Sequence, residues 1–212
     1  MTDGAALAAP LSRVCAALRS ARLLDAVVSA GQAFGGDLEA VNTFTGLLAA
    51  RAVAGADVVV VGDGPGNTGT GTRWGATDLW SAMALSAARI LGGTPVGALR
   101  ISFADPRARH RGVSHHSLTA LARVVEPGAY VAVPAAAGDA QEAVIRDALH
   151  AAGLGQRHRL VEADGRPAIE LLASRGIDVD SMGRTVEDDP VFFLAGGAAG
   201  AVAAGLAANG AA

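Results

Sequence analysis

The segment Phe103 to Ser117 carries the densest set of chemically capable side chains in this sequence. It holds Arg107, Arg109 and Arg111, the imidazoles of His110, His115 and His116, and a single carboxylate, Asp105. Guanidinium forks grip phosphate or carboxylate through paired N–H donors. Imidazole titrates near neutral pH, so His110 or His115 can move a proton, and Asp105 beside either would orient it. His116 joins the arginines as a candidate substrate contact. His110, His115 and His116 could also serve as metal ligands, but neighbouring helical side chains point in different directions, so His115 and His116 do not easily face one ion and no metal ligand is assigned. The plain alternative is a solvated arginine loop in which Ser114 caps the following helix.

Two further loops could serve the same crevice. The run Gly62 to Thr72 follows a valine strand and offers Gly64, Gly66, Asn67, Thr68, Gly69, Thr70 and Thr72. Gly64, Gly66 and Gly69 formally match G-x-G-x-x-G, but Pro65 interrupts the match and no acidic residue follows at the usual distance. What remains is a series of backbone N–H groups and threonine hydroxyls ahead of a helix. Such a series can cradle a phosphate or carboxylate, or else act as a flexible lid. The run Gly31 to Asn42 adds glycines and Asp37, which is either a ligand contact or the cap of the next helix.

The elements that must position these loops alternate between strand and helix. A helix is expected over Leu7 to Arg22, a short strand over Leu24 to Ser29 and a helix over Thr43 to Ala54. Asp57 to Val61, β-branched and unalternating, reads as a strand buried on both faces. A helix over Ala76 to Leu91, capped by Thr77 and Asp78, leads to a strand over Pro95 to Ser102. A helix then runs to Val125. Tyr130 to Val133 is a strand, Asp139 to Ala152 a helix capped at Asp139, Arg159 to Glu162 a strand and Arg166 to Ser174 a helix. Arg157, His158 and Arg159 read as surface residues. Strand–helix–strand spacing of this kind implies crossovers on a parallel sheet. The expected fold is a single α/β domain over residues 1–212, of three-layer doubly wound type, with a mostly parallel sheet and helices on both faces. In such a sheet the loops leaving the strands' carboxyl ends line the ligand crevice.

Composition narrows the function classes. The chain has 212 residues, 51% hydrophobic and 17% charged, with a net charge of −3. That balance excludes a disordered chain and argues against a nucleic-acid partner. All 17 basic residues are arginine, which excludes a Schiff-base lysine and a lysine-bearing P-loop. One cysteine, Cys15, leaves no internal disulfide. The uncharged stretch Val191 to Ala208 is mostly alanine and glycine and is expected as a buried C-terminal helix rather than a membrane span. Gly196 and Gly200, four apart, suit close packing on a neighbour, a second copy included, and a homodimer is the expected assembly. The expected location is the cytoplasm.

The strings GQAFGGDLEAVN, GPGNTGTGT, ISFADPRARHRGVSHHS, and SMGR followed by EDDPVFFLA occur in this order. Together they make the chain resemble a bacterial family known as domain of unknown function 3866, over nearly its whole length. The resemblance carries no catalytic assignment, and the cofactor is left open. It also implies additional sequence upstream, with a strand leading into Met1 to Gly4, so that Thr2 and Asp3 would belong to a fourth crevice loop. Two functions follow from the residues. One is a hydrolase or transferase acting on a small anionic, phosphorylated or nucleotide-like substrate. The other is a non-catalytic module that senses such a metabolite.

Overall fold

The structure, a computed structural model, describes residues 8–63, 69–135 and 137–210. These residues form two compact units that part between Gly93 and Thr94.

The first unit begins with a 3-10 turn and then contains α1 (Arg13–Ser20), β1 (Val28–Ala30), β2 (Leu38–Ala40), α2 (Thr43–Ala52) and α3 (Leu79–Ile90). Strands β1 and β2 pair in parallel, Val28 opposite Leu38, across a connection of only Gly31 to Asp37. Parallel pairs ordinarily need a longer crossover. Side chains hold this short one together. The Asp37 carboxylate accepts from the Val27 amide at 2.8 Å and pairs with Arg19, and the Gly36 amide donates to Ser29 Oγ at 2.7 Å. A Cβ on Gly36 would stand 2.7 Å from Ser29 N and from the Val27 carbonyl, so only glycine fits. Asp37 is therefore a clasp between strands. Asn42 caps α2 instead, in a reciprocal capping box with Thr45.

The second unit contains β3 (Val96–Ala98), β4 (Ile101–Ser102), β5 (Gly112–Val113), α4 (His115–Thr119), β6 (Tyr130–Ala135), α5 (Asp139–Ala151), α6 (Leu154–Arg157), β7 (Arg159–Asp164), α7 (Arg166–Ser174) and α8 (Pro190–Ala208). A π-helical turn over Ala120–Val124 continues α4. The sheet order is β3-β6-β7, all parallel, with Val96 opposite Tyr130 and Tyr130 opposite Arg159. The chain is thus an α/β protein, and in this unit the parallel strands are joined by helix-bearing crossovers as the spacing implied. Helix α8 lays Ala198 and Val202 against Ala132 of β6, with Val96 and Val161 around them. On α5, Ile145 and Leu149 are buried, each contributing about 1.5–3 kcal/mol of apolar transfer free energy.

Several expectations are corrected. Asp57 to Val61 is not a strand: it runs as irregular chain with Val58 and Val60 exposed, Val60 by 81%. A β-branched run favours a strand only where a sheet face receives it. Pro95 to Ser102 is two strands rather than one. The break falls at Arg100, whose amide donates to Ser117 Oγ at 2.9 Å and whose carbonyl accepts from the Ser114 amide at 2.8 Å. With its backbone taken by the start of α4, the chain leaves the parallel sheet and pairs antiparallel with β5. His158 is buried, 5% exposed, because Nε2 meets the Leu121 carbonyl at 2.8 Å. Helices α3 and α5 lack the expected side-chain caps at Asp78 and Asp139, the N-cap position of α5 being Gly138. Helix α8 has the length and mean hydropathy, 1.9, of a membrane span, yet one side of it packs on the sheet. Its close approach is made by Gly197, whose Cβ would meet the Gly165 carbonyl; Gly196 and Gly200 have nothing within 4 Å.

Candidate functional site

Strands β4 and β5 form a two-residue antiparallel ladder, Ile101 with Val113 and Ser102 with Gly112, from which the loop 103–111 projects. Gly112 turns the loop back into the ladder at φ +74°, a conformation that favours glycine. Ser102, fully buried, fixes the loop's outgoing end: its hydroxyl donates to Asp189 and accepts from the Asp105 amide at 3.0 Å. Asp189, buried just ahead of α8, also takes the Phe103 amide at 3.2 Å. One of the acids just before Pro190 thus anchors this loop.

Asp105 is buried, and its two oxygens receive four donors. Oδ1 accepts from Arg107 N at 3.0 Å and Arg107 Nε at 2.9 Å; Oδ2 accepts from Arg107 Nη2 and Arg100 Nη2, both at 2.8 Å. The Arg107 guanidinium, seconded by Arg100, holds this carboxyl far below the usual carboxylate range against the opposing effect of burial. Arg107 is raised in turn by Asp105. Arg184 stands 3.9 Å from Asp105 and 3.4 Å from Asp189, and Arg111 Nε reaches the Asp105 carbonyl at 3.4 Å. Three guanidinium groups therefore engage two buried carboxylates, and a fourth, that of Arg111, meets the Asp105 backbone. Arg100 Nη1 and Arg184 Nη2 are buried without a hydrogen-bond partner among the described residues. The expected Asp105–histidine pairing gives way to an aspartate–arginine cluster, because a carboxylate bonded by both Arg107 and Arg100 gains most from those charge-assisted bonds.

The three histidines converge beside it. His110 ends a 3-10 turn and is 3% exposed; His115 and His116 open α4. Ring centroids lie 5.0 Å apart for His110–His115 and for His110–His116, and 4.1 Å for His115–His116. One nitrogen from each ring lies within 4.8 Å of the other two. The argument that adjacent histidines diverge fails here. In the first turn of α4 the rings reach back from their backbones toward His110, whose loop folds over that turn. His110 Nδ1 meets Ser114 Oγ at 2.8 Å, and Nε2 lies 3.3 Å from Arg109 Nε. A guanidinium can only donate, so Nε2 offers its lone pair and Nδ1 carries the proton to Ser114. Burial, aided by the charges of Arg100 and Arg107, pushes His110 down to about 4.

The remaining predicted residues fall elsewhere. Gly64, Gly66, Asn67 and Thr68 lie outside the described residues. Asp37, Gly69, Thr70 and Thr72 belong to the first unit, the arginine–histidine loop to the second. Thr70 and Thr72 bond each other at 3.0 Å and clasp Gly75, so these hydroxyls close a turn. A cavity of about 490 Å³ in the second unit has a floor of Val133, Ile145 and Leu149 and a rim of Glu142, Arg146 and Glu162, with none of the predicted residues in it. Sequence reasoning missed Arg100, Ser102, Arg184 and Asp189 as members of the cluster. The only early sign of Arg184 was its place in the SMGR string.

Fold and loop together define an α/β protein whose second unit presents clustered arginines and histidines where a strand ladder passes into a helix. The chain belongs to the family described as protein of unknown function, DUF3866, which matches residues 1–200. No curated protein and no solved structure matches it.

Proposed function

We propose that the second unit binds a small anionic molecule, through a phosphate or carboxylate group, at the loop 100–116 together with Arg184. The observation that carries this reading is the imbalance of charge. Three guanidinium groups, Arg100, Arg107 and Arg184, share the two buried carboxylates, Arg109 and Arg111 stand beside them on the same loop, and buried guanidinium N–H groups of Arg100 and Arg184 are left without acceptors. A buried donor without an acceptor costs about 1–3 kcal/mol, which an incoming oxyanion would recover. Arg100, Arg107 and Arg184 are set in place before any ligand arrives, which lowers the ordering cost of binding.

Engagement of Asp105 by arginines favours a binding module over an acid–base enzyme, since this carboxylate, the one in the loop, is occupied by Arg107 and Arg100 rather than by a histidine. Hydrolysis or group transfer would then depend on His115 as the proton carrier, with His116 as a further ligand contact. Isothermal titration with inorganic phosphate, pyrophosphate and citrate tests the reading. Titration is preferable to a thermal shift alone, because phosphate stabilises most folded proteins by exclusion from their surface. Saturable binding by the wild-type chain, lost in R184Q and weakened in R111Q, is the expected result. The absence of saturable heat with all three anions would overturn it, as would equal binding by the wild-type chain and R184Q.

A further inference from the structure

We propose that His110, His115 and His116 form a site for one divalent transition metal of the zinc type, with three imidazole ligands and an open coordination position. The donor set selects the metal class. Three neutral nitrogens suit zinc, iron, cobalt or nickel, whereas magnesium and calcium require oxygen ligands. Three protein ligands leave room for water or an anion, as in reactive rather than purely structural zinc sites.

The geometry is close to what coordination requires. A metal about 2.1 Å from each nitrogen in tetrahedral arrangement sets those nitrogens about 3.4 Å apart. The three candidate nitrogens already lie within 4.8 Å of one another, a gap that ring rotation of the half-buried His115 and His116 can close. The supporting contacts match as well. A metal-bound imidazole ordinarily donates its second N–H to a fixed acceptor, which sets the tautomer and leaves the other lone pair outward. His110 has this arrangement: Nδ1–H is held by Ser114 Oγ at 2.8 Å, and the Nε2 lone pair faces Arg109 Nε at 3.3 Å. The same buried Ser114 hydroxyl accepts from the His116 amide at 3.3 Å, so one side chain fixes two of the three ligand residues.

Charge does not forbid the ion. Asp105 and Asp189 offset two of the three positive charges of Arg100, Arg107 and Arg184, so the excess to be met beside the histidines is small. Arg109, the guanidinium in contact with the His110 ring, is exposed and can turn outward. In the metal-free state the Arg109 N–H occupies the lone pair that the metal would take.

The site stands on the histidines alone and does not depend on the proposed anion ligand. Its test uses the full chain without a histidine tag, stripped by chelator and titrated with zinc and then cobalt in chloride buffer free of phosphate. One equivalent of zinc is expected, with the intense visible bands of low-coordinate cobalt. Stoichiometric binding should disappear in the double variant H115A/H116A, while circular dichroism reports on its fold. In S114A, where Ser114 acts as a positioning residue, affinity should fall about ten- to hundredfold with the stoichiometry kept. Substoichiometric zinc in the wild-type chain would overturn the proposal. So would unchanged binding in the folded double variant, or the weak bands of hydrated cobalt in the wild-type chain should the variant not fold. The phosphate titration, run on the metal-free protein, fails or succeeds independently, so loss of one reading is distinguishable from loss of the other.

Discussion

Replacing Asp105 by asparagine should destabilise the second unit by about 2–3 kcal/mol. The carboxylate receives four donors on two oxygens: three from Arg107 and one from Arg100. Asparagine has nearly the same shape but one oxygen. In either amide orientation the NH2 group must face at least one guanidinium N–H. With its oxygen kept at Oδ1, the bonds to Arg107 Nη2 and Arg100 Nη2 are lost. Each charge-assisted bond contributes about 1.5–3 kcal/mol. Removing one partner of a fully buried ion pair costs about 3–5 kcal/mol. The side chains of Arg107 and Arg100 are 41% and 23% exposed, so water re-solvates the released charges, which sets the lower figure. At a urea slope of about 2 kcal/mol per molar, the unfolding midpoint should fall by about 1–1.5 M at neutral pH. The pH dependence carries a definite sign. The folded protein holds Asp105 ionised far below the usual range, so its contribution is complete above the unfolded-state value near 4. That contribution is lost as acid protonates the unfolded chain first. The gap between wild type and D105N should therefore narrow below about pH 4, by at most about 1.4 kcal/mol per pH unit. Other carboxylates titrate alike in both proteins and cancel in the difference. Equal midpoints at pH 7, or a gap that stays constant on acidification, would refute the reasoning.

Two other substitutions probe the frame around the site. In α8, G197A drives a Cβ into the Gly165 carbonyl oxygen and should destabilise by about 1–3 kcal/mol. G196A, one residue away with nothing within 4 Å, should be neutral or stabilise by up to about 1 kcal/mol. Thermal melts of the pair decide the matter, and the idea fails if the two shift alike. H158L leaves the Leu121 carbonyl of the π-helical turn without its imidazole partner, so its melting temperature should fall by the equivalent of about 1–3 kcal/mol. Wild-type stability in H158L would show that the contact has no net value.

The parallel strands and crossover helices of the second unit were legible because their signals are local and agree with one another. Tyr130 to Val133 is apolar and β-branched, Asp139 to Ala152 has helical periodicity, and the loops between them are short. The errors arose where a remote partner decides the outcome. Asp57 to Val61 has the strongest strand composition in the chain and is no strand, since β-propensity expresses itself only against a receiving sheet. Arg100 looked like a residue inside a strand. It breaks that strand because Ser114 and Ser117, from the next helix, claim its backbone. The loop's residue types foretold clustered positive charge, but not the role of Asp105, since Arg184 and Asp189 approach it from the far end of the chain.

The histidines show how little spacing alone constrains a site. Adjacent positions on a helix diverge by about 100°, which follows from 3.6 residues per turn. That angle describes Cα–Cβ directions, and an imidazole with two rotatable bonds carries its nitrogens several ångströms beyond Cβ. When a third ring is folded over the helix start, as His110 is, the first two residues of the helix can both reach it. The antiparallel ladder β4–β5 makes that folding obligatory: pairing Ser102 with Gly112 returns the loop to its origin and leaves His110 directly above the start of α4. Buried Ser114 then ties loop and helix together through one hydroxyl. The convergence is thus a product of the strand break at Arg100. Had Pro95 to Ser102 continued as one strand in the parallel sheet, Ser102 would have no Gly112 opposite it, and nothing in the backbone would bring His110 to the other two rings.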